Sequence, residues 1–188
     1  YPNYSDIDTY AMAASCIDTA IRNLVVVGAD PNEIALVDNF CWCSSKDPFR
    51  LGQLKRAVKA CYEYATGYQT PFISGKDSMF NDFSGFNVQG LPVNISIPPT
   101  LLISSIGIME DVKKTVSLDA KFPGDLVYIL GKTQSEMGAS EFFVYLAESK
   151  KNNAIGNNIP KVDAIKNRNL YIALSRAINL KLIASAQS

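Results

Sequence analysis

Histidine is absent from the 188 residues, which excludes imidazole as general base, nucleophile or metal ligand within this chain. Cysteine is scarce: Cys16, Cys41, Cys43 and Cys61. Only Cys41 and Cys43 are close, and a C-x-C pair with no second pair and no histidine is a poor donor set for zinc. Free, mostly buried thiols are expected instead. Net charge is also missing, because 18 lysines and arginines balance 18 aspartates and glutamates. No long-range field would draw in nucleic acid or an anionic membrane, so neither is expected as a partner. No apolar run reaches the roughly 18–20 residues of a membrane span, and no signal peptide is visible. A reducing, cytoplasmic setting is expected. The chain starts at Tyr1 without a methionine and stops at Ser188 after an apolar helical stretch. An excised segment would look like this, as would a chain with trimmed ends.

What is present is the balance of a globular protein, 47% apolar and 19% charged, with enough length for one domain or one domain and part of a second. Met12, Ile17, Ile21, Leu24 and Val25 recur at helical spacing and predict a helix over 10–27, capped near Ser5 or Asp6 and stopped by Gly28. Ile34 to Val37 predicts a buried strand ending at Asp38-Asn39. Asp47-Pro48 leads into a helix over about 52–66 that Gly67 should end. Pro71 to Ile73 predicts a second strand, 81–99 a loop, and Leu101 to Ile108 a buried strand. Further strands are expected at 115–118 and 125–130, helices at 140–149 and 161–186, and a polar loop at 150–160. A domain boundary is expected near 119–124. Strands and helices alternate in a mixed order, so the fold class is α+β or α/β.

Several stretches could carry chemistry. Phe72-Ile-Ser-Gly-Lys-Asp-Ser78 ends a strand. Gly75 would let a ligand approach the backbone, successive amides after a strand can cradle phosphate, and Lys76 adds a point charge. Ser78 offers a hydroxyl, and Asp77 could reach magnesium. A plain turn of glycine, serine and aspartate explains the same residues. Leu36-Val-Asp-Asn-Phe-Cys-Trp42 places Asp38 at a strand's carboxyl end, where α/β ligands lie, or where an aspartate simply caps a turn. Phe40 and Trp42 suit core or interface better than base stacking. Thr19 and Asn23 share a helical face that could line a pocket or merely meet solvent. In Glu136-Met-Gly-Ala-Ser-Glu141, free amides at a helix start could attract phosphate, or Ser140 could act as an ordinary N-cap.

Taken in order, D-x-x-I-R-N, G-A-D-P-N-E-I-A, D-N-F-C-W, T-P-F-I-S-G-K-D-S, I-P-P-T-L-L-I-S-x-I-G, P-G-D-L-V-Y-I-L-G and G-x-S-E-F resemble the second half of the phosphoribosylformylglycinamidine (FGAM) synthase family, from about Tyr4 to Ala186. The resemblance implies an aminoimidazole-ribonucleotide-synthetase-like fold. Residues 1–119 would be the second copy of its N-terminal-type domain, and 120–188 the opening of its C-terminal-type domain. It implies an ATP-dependent ligase of purine biosynthesis that converts formylglycinamide ribonucleotide to the amidine, with ammonia released from glutamine by a partner domain or subunit. This segment alone would be inactive, since the family's catalytic histidine belongs to the half not represented here.

By the same resemblance, Asp38 and Gly75 match nucleotide-binding positions, with Lys76 beside them, and Ser78 matches a substrate-contacting position. ATP and magnesium are the implied cofactors, with Asp77 and Asn23 as candidate metal ligands. The implied partners are the ribonucleotide, the rest of the synthase chain, a glutaminase, and a second N-terminal-type domain met through the sheet. Three departures stand out: Lys76 where one branch carries a metal-binding asparagine, Thr19 where many relatives carry glutamate, and Ala139 in place of glycine. Lys76 and Thr19 favour a rival reading, a structural or assembly module with a vestigial nucleotide site, while Ala139 would restrict backbone approach to a phosphate. The D-N-F-C-W spelling argues against related synthetases and kinases of the superfamily.

Overall fold

In the computed structural model, residues 2–149 and 155–188 are described. The expected loop at 150–160 lies partly outside them, at 150–154. A short helix α1 (Pro2–Ser5) precedes α2 (Thr9–Val25). Asp8 caps α2, its side chain accepting from the Tyr10 amide at 2.9 Å. The expected caps Ser5 and Asp6 fall before this point, because the chain first makes the separate turn of α1. The helix ends as foreseen, with Gly28 at φ +109 in the turn that follows.

β1 (Ile34–Cys41) leads into α3 (Pro48–Tyr68) and then β2 (Phe72–Ser78), which lies parallel to β1. The helix is longer than its apolar pattern indicated, since Asp47 caps it and Pro48 sits at its first turn. Gly67 does not stop it; Gln69, at φ 58, provides the left-handed C-cap. What Gly67 supplies is space: a β-carbon there would lie 2.9 Å from that of Ala164. The expected loop at 81–99 contains a hairpin, β3 (Phe83–Phe86) with β4 (Pro92–Ile95), closed by a turn through Asn87 and Gly90. β5 (Thr100–Gly107) then pairs antiparallel with the other edge of β1, giving the strand order β2-β1-β5.

One face of this mixed sheet is closed by helix. Leu36, Phe40 and Leu101 point inward against Met12, Ile17 and Ala57, and Ser105 donates to the Ala20 carbonyl of α2 at 2.9 Å. Strand alternation sends the neighbouring residues to the opposite face, where Leu102 and Ile106 are exposed.

Beyond β5 the expected strands do not form. Residues 115–118 make a single bridge, Ser117 with Ser185. Leu126 to Leu130 run without regular structure and with 54–94% exposure. A strand needs a neighbour to satisfy its backbone, and the described residues offer this run none. At the expected boundary, Lys121 bonds to Asp119 and Ser117, each at 2.6 Å. α4 (Glu141–Ser149) matches expectation. α5 (Ala164–Asn179) is shorter than foreseen because Asp163 caps its start and Lys181 turns at φ 58 just past its end.

α5 returns to the first helices. Tyr171, Leu174 and Ile178 join their core, Tyr64 donates to the Val162 carbonyl at 2.8 Å, and Arg168 donates to the Tyr68 carbonyl at 3.0 Å. At the centre lies Asp18, 4% exposed. Its Oδ1 accepts from Tyr68 at 2.5 Å, Tyr171 at 2.6 Å and Asn167 at 2.9 Å, and its Oδ2 pairs with Arg22 at 3.0 Å. A buried carboxylate is tolerated only when its oxygens are fully engaged. Tyr171→Phe should therefore lower unfolding stability by about 1.5–3 kcal/mol, the range for a hydrogen bond to a charged group. Urea denaturation monitored by circular dichroism checks this, and a change within error would show that the hub does not hold α5 in place.

Candidate functional site

The carboxyl ends of β1 and β2 lie side by side because a helical crossover joins them as parallel strands. The register places Asp38 opposite Gly75, Asn39 opposite Lys76, Phe40 opposite Asp77, and Cys41 opposite Ser78. The segments after the strands also meet: the Trp42 amide donates to the Ser78 carbonyl at 2.8 Å, and the Asn81 amide to the Trp42 carbonyl at 3.0 Å. Trp42 is fully buried, 5.8 Å from Phe40 between ring centres, and donates to the Arg50 carbonyl at 3.1 Å. Both aromatics are core and anchor the carboxyl end of β1. The strand runs on to Cys41 rather than ending at Asp38-Asn39, because β2 and β5 both continue to pair with it, so Asp38 lies within the strand. Cys16, Cys43 and Cys61 are buried free thiols, and Cys41 is half-buried.

Gly75 faces the Asp38 carboxylate so closely that an added β-carbon would lie 2.8 Å from Asp38 Cγ. Any side chain at 75 would displace that carboxylate. This contact, rather than backbone freedom, is what requires glycine, since Gly75 lies in a regular strand. The stretch 74–78 is strand throughout, not the turn of successive amides expected after it. In an extended chain neighbouring N–H groups point in opposite directions, so no concave nest forms there.

Alternation divides the candidates between two faces. Asp38, Gly75 and Asp77 share the helix-covered face. Burial pushes the Cys61 thiol of α3 up to about 12, with the charge of Asp38 adding to the effect. The Asp38 carboxyl is itself raised above the usual range, first by desolvation and then by the charge of Asp77. Lys76 and Ser78 share the open face with Asn39 and Cys41, and the Lys76 ammonium donates to the Ser78 hydroxyl. Asn23 lies on a different element, where its side-chain oxygen accepts from Ser188. Thr19 accepts from Arg22 at 3.5 Å. Among the described residues no group of three or more acidic or cysteine side chains could hold a metal ion.

The stretch before α4 is engaged elsewhere. The Gly138 amide donates to the Asn158 carbonyl at 2.6 Å and that of Ala139 to Ile155 at 2.7 Å, so these amides are not open to phosphate. Ser140 accepts from the Phe143 amide at 3.3 Å, the N-cap role. Ala139 holds φ 57, a conformation that favours glycine. The residue that sequence reasoning overlooked is Asp18. An aspartate between Ile17 and Ile21 on an apolar helix, four residues before Arg22, was the available sign of a buried pair.

Against known proteins, residues 1–108 match the family described as AIR synthase related protein, N-terminal domain. The chain belongs to that family. It is 30% identical over 185 residues to the phosphoribosylformylglycinamidine synthase subunit PurL of Methanocaldococcus jannaschii, covering 97% of this chain and 24% of that protein. It is 34% identical over 143 residues to the PurL subunit of Gloeobacter violaceus, covering 76% of this chain and 18% of that one. The chain thus spans about a quarter of the length of such relatives. Among solved structures, T. maritima PurL complexed with FGAR superposes with a TM-score of 0.62 over 98% of this chain and 27% of that one, at 18% identity. That likeness establishes a shared mixed α+β fold.

Because Asp77 raises the Asp38 carboxyl, Asp77→Asn should bring it back toward the ordinary range. A carboxyl raised on folding opposes folding once ionised: the cost is absent below the unfolded value and complete above the folded one. The variant should therefore gain stability at pH 7 but not at pH 3, by less than about 1 kcal/mol for such partly exposed charges. Denaturant curves at the two pH values check this; an equal gain at both would rule out the charge as its source.

Proposed function

We propose that the chain is a nucleotide- and substrate-binding segment of an FGAM synthase, the ATP-dependent ligase that makes formylglycinamidine ribonucleotide from formylglycinamide ribonucleotide. The observation that carries this reading is Gly75 set against Asp38 across the parallel strands β1 and β2, three residues short of the carboxyl ends beyond which open α/β sheets bind ligands. The names of the relatives support it. In this reading Asp38 and the edge of β2 at Gly75 hold ATP, Lys76 meets its phosphates, and Ser78 reaches the ribonucleotide. Magnesium enters as the ion that ATP carries, with Asp77 on the same face as Asp38.

The segment supplies fixed charge and hydrogen bonds rather than proton transfer by imidazole, for it has no histidine. Activation of the amide oxygen by ATP and displacement of phosphate by ammonia need the remainder of the synthase and a glutaminase. We further propose that residues 1–119 form the N-terminal-type unit and 120–188 the start of the C-terminal type, with α5 reaching back from the second. A cytoplasmic setting accords with this metabolism.

Calorimetry with ATP or ADP tests the reading. The native chain binds, and Gly75→Ala, which sets a methyl group against Asp38, weakens binding at least about tenfold, a change of about 1.4 kcal/mol. Unaltered affinity would overturn the role of this contact, and turnover with ammonia by the isolated chain would overturn its dependence on the remainder.

A second reading, an assembly module, is favoured by the open sheet face. Ile73, Leu102, Ile106 and Ile108 are all exposed there or at its margin, and uncovered apolar sheet invites association. The chain should form dimers through this face, and Ile106→Asp should shift them toward monomer. Light scattering at micromolar concentration checks this, and a monomeric native chain would remove the second reading.

A further inference from the structure

The divalent cation implied for a phosphate site finds no carboxylate on the sheet face that carries Lys76, among the described residues. Magnesium prefers oxygen ligands in a strict octahedral arrangement and usually bridges a carboxylate or two to the phosphates. Here Asp38 and Asp77 lie on the helix-covered face, while the open face at the strand ends carries a cation, Lys76, with Ser78, Asn39 and Cys41 beside it. Asn23 is engaged by Ser188 on another element. Among the described residues no cluster of three acidic or cysteine groups completes a site. A resident dication next to Lys76 would meet like charge and no carboxylate, only the neutral oxygens of Ser78 and Asn39.

Lys76 is instead arranged as a counter-charge. Its ammonium spends one donor on Ser78, which steadies the long side chain, and an ammonium group has three donors in all. The exposed remainder faces the open side of the strand ends. We propose that Lys76, steadied by Ser78, neutralises the phosphates of a nucleoside di- or triphosphate in this chain, so that binding does not require a divalent cation. This rests on the nucleotide reading above and adds to it the source of the balancing charge. A compact ammonium whose flexible stem is held in place can serve as such a point charge. The phosphate chain then lies on the Lys76–Ser78 side, while its sugar and base extend past the edge of β2 toward Gly75.

The test is calorimetric titration of the full chain with ADP, once with excess EDTA and once with excess magnesium. The native affinity should agree within about threefold between the two conditions, and Lys76→Gln should weaken binding about tenfold or more in EDTA, the scale of one charge-assisted hydrogen bond. Magnesium should recover part of that loss by restoring positive charge to the ligand. Lys76 is exposed, and an unchanged circular dichroism spectrum and melting curve would confirm that the variant folds. If the native chain binds ADP only with magnesium, the inference falls while the nucleotide reading stands. If Lys76→Gln binds as the native chain does in EDTA, the inference falls likewise. If the native chain binds in neither condition, both fall together.

Discussion

The buried Asp18 carboxylate constrains much of the rest of this molecule. A charge cannot be left alone among Ile17, Ile21 and Met12, all nearly inaccessible, without a desolvation cost of several kcal/mol. Its partners come from separate stretches of chain: Arg22 from its own helix, Tyr68 from the end of α3, and Asn167 with Tyr171 from α5. The phenol groups of Tyr68 and Tyr171 are both pushed well above their usual range, by burial first and by the Asp18 charge second. They therefore remain donors at any ordinary pH. Satisfying one carboxylate draws the end of α3 and the returning helix α5 to the middle of α2. The rings of Tyr68 and Tyr171 stack with centroids 6.2 Å apart as a result.

That convergence bears on the strand ends. α3 is the crossover that makes β1 and β2 parallel, so the position of its last turn fixes where β2 begins. Thr70, buried immediately after it, donates its backbone N–H to the Ala65 carbonyl at 2.9 Å. From there the register to β1 determines that Gly75, and not a neighbour, faces Asp38. The close fit of glycine to carboxylate lies at one end of a chain of contacts whose other end is the buried charge. It also separates the sheet's charges, with carboxylates on the covered side and the ammonium of Lys76 on the open side.

Apolar surface left uncovered tells a consistent story. Leu102 and Ile106 on the sheet, Phe83 and Phe86 on the hairpin, and Val127 and Ile129 in the irregular run are all exposed. The chain spans about a quarter of the length of its relatives. The run at 126–130 has the composition of a strand, and the described residues set no strand beside it. Its backbone and side chains are suited to a sheet that the described residues do not complete.

The sequence by itself determined the helices with a clear apolar period, the strands β1 and β5 with their apolar runs, and the family. These depend on local spacing and on spelled motifs such as D-N-F-C-W, which no tertiary contact can alter. It also marked Asp38 and Gly75 as a pair to watch. Tertiary structure decided what local pattern cannot encode. It decided that 74–78 is strand rather than turn, because β1 offers a ladder, and that 125–130 is not strand, because the described residues offer none. It decided that Gly67 makes room for Ala164 rather than ending a helix. It sent Lys76 and Asp77 to opposite faces, since neighbours in a strand alternate and the register to β1 fixes which side each takes. And it made Asp18 a central residue, because partners more than a hundred residues away along the chain become neighbours only once α5 has folded back.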